Sequence, residues 1–186
     1  MKQPRGHISR LTRHSPWWIA LACALLSFGC TARDLTQADL ENFDALIQQY
    51  KSASKTQRAE AVQWLRNADG AANERRWDIS AKMYAESAMR WPSFRALNGR
   101  GEALAKSDRK RATVAESIKA QKIAFDEAAI YFHNAVRFAE KVPEQAQAAE
   151  LEVVRQRITC IESYAGGATH NCEPVRSVLL RYPAKL

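Results

Sequence analysis

The chain has 186 residues, with 28 Lys and Arg against 20 Asp and Glu, a formal charge of +8. That length suits one domain of ordinary size. The charge does not carry a nucleic-acid reading: Lys2, Arg5, Arg10 and Arg13 stand in the first 29 residues with no acid, and without them +8 becomes +4. Behind those four cations, "PWWIALACALLSFG" (residues 16–29) is uncharged and apolar, and Arg33 and Asp34 follow closely. A membrane-spanning helix needs about 20 apolar residues. This run is shorter, so residues 1–29 read as a bacterial secretory signal, with a retained anchor as the lesser reading.

The end of the run, "LLSFGC", resembles the lipobox of bacterial lipoproteins, in which a small residue precedes a cysteine that is diacylated and becomes the new N-terminus. Gly29 and Cys30 take those two places. The family has Leu three positions before the cysteine and a small residue two before it; here these are Ser27 and Phe28, with Leu26 one place early. The resemblance implies a lipid anchor at Cys30, since two or more acyl chains hold where one is marginal. It also implies outer-membrane sorting, because Thr31 is not the Asp that retains such proteins at the inner membrane. Residues 30–35 then form a tether.

The first helix is expected from Thr36, with Asp39 three residues on as a capping partner. Leu40, Phe43, Leu46, Ile47 and Tyr50 share its apolar face. "KSASKT" (residues 51–56) breaks that pattern. A second helix is expected over residues 57–75, with Gly70 inside it. A third is expected over residues 77–90, ending before Pro92 because the residue preceding proline is pushed out of the helical region. A fourth starts near Ser93, and "KSDRKR" (residues 106–111) is a basic turn after it. Residues 112–142 hold no Gly or Pro and predict one long helix or two closely joined ones. Pro143 ends them, and residues 144–165 form another helix, stopped by Gly166 and Gly167. No strand-length alternation occurs, so the class is all-α.

Cys160 and Cys172 are separated by 11 residues that include two glycines. In an oxidising periplasm they read as a local disulfide closing the 166–186 tail, worth about 2–3 kcal/mol on the chain-entropy account. A metal site on His170 and Cys172 lacks a second pair of ligands.

Two segments look alike. One is Trp77-Asp78-Ile79-Ser80 followed by Tyr84, Ser87 and Pro92; the other is Phe125-Asp126-Glu127-Ala128 followed by Phe132, Ala135 and Pro143. Both resemble the second helix of a tetratricopeptide repeat. Trp64 and Ala68 fall on the Trp and the small residue of that family's first helix, and Leu97 and Gly101 take those places in the second copy. Asn67 and Ala71 depart from the pattern, and about 15 extra residues (107–122) separate the second copy's helices. The likeness covers residues 61–143, with the 144–165 helix as a cap. It implies that residues 36–165 form stacked antiparallel hairpins, in which Ser80, Ser87, Ala68 and Gly101 let helices cross closely and Tyr84 and Phe132 fill the holes between hairpins. It further implies a concave face bearing Leu65, Asp69, Asn73, Arg95, Asn98, Glu102 and Lys106.

No Ser-x-x-Lys, G-x-S-x-G, H-E-x-x-H or Walker pattern occurs, and His133 and His170 are the only histidines after residue 29. The expected function is therefore not enzymatic and calls for no cofactor, metal or small-molecule substrate. The reading is an envelope lipoprotein on the outer membrane, facing the periplasm, that holds a peptide or helix of another envelope protein in its groove. The alternatives are a plain helical bundle touching anionic lipid or an acidic partner through residues 106–122, and an accessory or divergent cell-wall-processing enzyme.

Overall fold

A computed structural model describes residues 34–107 and 113–165. The expected signal, Cys30, most of the basic turn and the C-terminal tail with Cys172 lie outside the described residues. Among the described residues every regular element is helical: α1 (Phe43–Ser52), α2 (Lys55–Asn73), α3 (Trp77–Arg90), α4 (Phe94–Lys106), α5 (Val114–Lys141) and α6 (Ala148–Ala165), with 3-10 turns at Ala38–Glu41 and Pro143–Gln145. None of these helices is long and apolar enough to cross a membrane.

The first expected helix divides in two. The Thr36 backbone N–H and hydroxyl both donate to Asp39 Oδ2, at 2.8 and 2.7 Å, yet the turn they open is the 3-10 turn. Asn42 then takes an extended conformation and its Oδ1 accepts from the N–H groups of Asp44 and Ala45, starting α1. An Asn that bonds the backbone ahead of it is a better cap than an interior helical residue. The second helix starts two residues earlier than expected, because Ser54 and Gln57 cap each other reciprocally. It ends at Asn73, and Arg75 turns the chain at φ 58°. Ser93 caps α4 by accepting from Ala96 N–H. Residues 112–142 yield one helix, capped by Thr113 with Glu116. The last helix begins at Ala148 rather than Glu144, because Pro143 seats a 3-10 turn first.

Successive helices pair antiparallel. Ser80 Oγ donates to the Ala68 carbonyl at 3.0 Å and Ser87 Oγ to the Ala61 carbonyl at 2.9 Å, so α3 rises as α2 falls. Both serines are buried, and a hydroxyl that reaches a carbonyl there avoids the cost of an unmet polar group. On α5, Gln121 Nε2 donates to the Ala105 carbonyl at 3.0 Å, while Ala128 and Phe132 close on Gly101. A Cβ at Gly101 would lie 2.8 Å from the Phe132 ring and 3.1 Å from the Ala128 carbonyl, so α4 and α5 approach as they do only because Gly101 has no side chain. α6 runs back along α5, joined by His133 to Glu162 (2.9 Å) and Arg155 to Glu140 (3.7 Å).

α1 covers α3 and α5. Gln49 Nε2 donates to the Arg90 carbonyl, Asn134 Nδ2 to the Leu40 carbonyl, and Arg137 stands 3.9 Å from the Phe43 ring centroid. The end of the expected tether is held too, because Leu35 N–H donates to the Met89 carbonyl at 3.1 Å. Tyr50 packs edge-on against Phe138 and stacks on Trp91, whose ring also has the Arg58 guanidinium 5.6 Å from its centroid. That gives Trp91, which follows the last residue of α3, a structural place that its sequence position does not announce. The remaining core is built on Leu97, Phe125, Tyr131, Phe132 and Phe138. With α1 on α3 and α5, the seams between α2 and α4 and between α4 and α6 are left without a covering helix among the described residues.

Candidate functional site

A cleft of about 420 Å³ lies between the C-terminal half of α2 and α4, with Trp77 and Tyr84 of α3 contributing to its lining. Gly99 makes the inner wall possible. A Cβ there would stand 2.5 Å from the Tyr84 ring, so the missing side chain lets the ring through to α2. The Tyr84 hydroxyl donates to Asp69 Oδ1 at 2.7 Å, and Arg95 Nη2 donates to Asp69 Oδ2 at 2.7 Å. Asp69 is thus held from α3 and from α4 at once. Across the cleft, Glu102 Oε1 accepts from Lys106 Nζ at 2.6 Å, and Glu102 Oε2 pairs with Arg157 Nη2 of α6 at 3.1 Å. The Lys106 ammonium also stands 5.0 Å from the Trp77 ring centroid, an attractive placement for a cation. Asn73 is exposed at the rim.

The electrostatics follow from these contacts. Burial raises the Tyr84 hydroxyl well above the usual tyrosine range, and Asp69 adds to the shift because the hydroxyl must stay protonated to donate. Burial pulls the Glu102 carboxyl upward, but Lys106 and Arg157 more than offset it, leaving the group below the ordinary range. Glu102 is therefore charged, and each of the two carboxylates stands against nearby cations.

A second, more apolar pocket of about 220 Å³ continues along the same seam, with Val62, Leu65 and Trp91 among its lining residues. Arg95 lines both. The indole N–H of Trp91 is buried and has no hydrogen-bond partner.

Of the residues expected on the concave face, Asp69, Asn73, Arg95, Glu102 and Lys106 meet in the cleft. Leu65 sits in the neighbouring pocket. Asn98 does not line either one: it turns to α6, where its Oδ1 accepts from Arg157 Nη1 at 3.1 Å. Helix register alone does not reveal Trp77, Tyr84 and Gly99 as cleft residues, or Arg157 as a partner of its wall. Cys160 is buried and disulfide-bonded, and every other cysteine of the chain lies outside the described residues. Among the described residues no group of three or more His, Cys, Asp or Glu is placed to hold a metal ion. The chain matches no family model, no curated protein and no solved structure.

Proposed function

We propose that this chain is a lipid-anchored envelope protein whose tetratricopeptide-like hairpins hold a segment of another protein in the α2–α4 cleft. The observation that carries the reading is the meeting of Asp69, Asn73, Arg95, Glu102 and Lys106, from two helices not adjacent in sequence, in one open cleft. The antiparallel α2–α3 and α4–α5 pairs, the close crossing at Gly101 and the covering of α3 and α5 by α1 support it, because α1 lies on the second helix of each pair and leaves the α2–α4 cleft open. Anchoring at Cys30, on the outer membrane and facing the periplasm, completes the proposal, as does a bridge from Cys160 to Cys172. A cell-wall-processing activity would also want convergent polar groups. Here Glu102 is held ionised by Lys106 and Arg157 and Tyr84 is held protonated, which suits recognition better than proton transfer.

The test is capture from the protein's own envelope with Asn73→Ala and Arg95→Gln together. Partner recovery is expected to fall at least tenfold at an unchanged melting temperature, and full recovery would refute the cleft as the binding surface. Cys30→Ala is expected to release the protein in soluble form; continued sedimentation with membranes would rule out the lipid anchor.

A further inference from the structure

The seam's charged groups are unevenly matched, three cations to two carboxylates. Its two carboxylates already accept at all four oxygens, from Tyr84, Arg95, Lys106 and Arg157. The donors are far from exhausted. Arg95 uses a single nitrogen on Asp69, although its side chain is 68% exposed and a guanidinium carries a fork of N–H groups. Lys106 gives one N–H to Glu102 and keeps others. The Asn73 amide is exposed, with no side-chain hydrogen bond among the described residues. Three cations, Arg95, Lys106 and Arg157, stand against the two carboxylates Asp69 and Glu102. A guest that brought further cations would add to the three already gathered on two carboxylates, whereas one that brought carboxylate oxygens would find donors waiting.

The layout says where along the guest that carboxylate falls. From Val62 to Asn73 the seam follows α2 for roughly 16 Å at about 1.5 Å per residue, a distance that about five extended residues cover at roughly 3.3 Å each. The apolar pocket with Val62, Leu65 and Trp91 lies at one end, the polar cleft at the other, and Arg95 belongs to both. A carboxylate on Arg95 is therefore met part-way along the guest, with chain continuing on either side.

We infer that the α2–α4 seam takes a short acidic segment of a partner protein, run through rather than ended there, with an internal Asp or Glu side chain on Arg95 and a neighbouring apolar side chain between Val62, Leu65 and Trp91. This rests on the protein-binding reading above and adds the chemistry of the guest. Charge selects the acid and the apolar pocket sets its register, since burying an aliphatic side chain there removes it from water while the acid stays at the open rim.

The experiment is selection from a random displayed peptide library on the intact, disulfide-bonded protein, followed by synthetic peptides acetylated and amidated at their ends. Enriched sequences are expected to pair an acidic with an apolar residue. Their capped forms should bind, weaken with added salt, and lose roughly tenfold to a hundredfold on Arg95→Gln and a similar factor on Val62→Asp, with both variants melting like the parent. Enrichment of basic or uncharged sequences would overturn the acidic guest while leaving the groove reading intact. Binding that vanishes on amidation would overturn the internal side chain in favour of a chain terminus. Absence of any enrichment would overturn the inference, and the envelope capture experiment then decides the groove reading separately.

Discussion

The α2–α4 and α4–α6 seams are each flanked by an aromatic, Tyr84 and Phe132, and they are finished differently. At the first, Tyr84 passes Gly99 and its hydroxyl fixes Asp69, which leaves an open cleft bridged by the exposed Arg95–Asp69 pair. At the second, Phe132 has no hydroxyl to offer. Its ring is pressed against Gly101, and Arg157 crosses from α6 to reach both Asn98 and Glu102, with its guanidinium 5.9 Å from the Phe132 centroid. One hydroxyl and one arginine thus separate an open seam from one tied by its own side chains. The polar residue beside each aromatic decides whether its seam stays open or is tied.

The largest test of this contrast is Gly101→Leu. The new side chain would meet the Phe132 ring and the Ala128 carbonyl, both buried against α4. A loss of about 3 kcal/mol is expected in chemical denaturation, and a midpoint within error of the parent would mean that α4 and α5 cross less tightly than described. Tyr84→Phe makes the first seam's aromatic like the second's. Removing a donor from the Asp69 carboxylate should cost about 1–2 kcal/mol; an unchanged midpoint would show that Arg95 alone holds Asp69.

Arg157→Gln should open the second seam at a cost of about 1 kcal/mol, discounted because the pair is partly exposed. Its pH dependence is the sharper readout. Glu102 is held below the ordinary carboxylate range in the folded protein, so the stability it contributes is complete above its unfolded pKa and disappears as pH falls through the folded one. The gap between parent and variant should be full at neutral pH and shrink in acid; a gap that grew in acid would contradict the pairing. The smallest effect is expected from Gly70→Ala on α2. Nothing lies within 4 Å of the added methyl, so helix propensity should act alone and stabilise by up to about 1 kcal/mol. A loss there would reveal crowding near Asp69.

Much of the fold was legible because it depends on local chemistry. Periodic apolar residues, Pro92 and Ser93 placed α3 and α4 close to where they lie. Asn42 defeated the same reasoning: its side chain bonds forward and restarts the helix, a choice that an apolar face spanning Leu40 to Tyr50 conceals. Five of the seven expected groove residues share the cleft because register along α2 and α4 fixes their directions. Asn98 turns instead to Arg157, a contact that helix register does not reveal because it spans 59 residues of sequence and depends on how α6 returns. Tyr84 reads from sequence as filler. Its second role exists only because Gly99, on another helix, lets the hydroxyl through.

The three tryptophans of the described residues, Trp64, Trp77 and Trp91, each lie beside a cation: Arg90, Lys106 and Arg58. Only Trp77 and its lysine line the 420 Å³ cleft. An anion in that cleft, as proposed above, would compete with the indole for Lys106, while Trp64 lines neither pocket. On the binding proposed above, tryptophan emission becomes a label-free gauge of which part of the seam fills: Trp77→Phe removes the report from the polar cleft and Trp91→Phe the report from the apolar pocket.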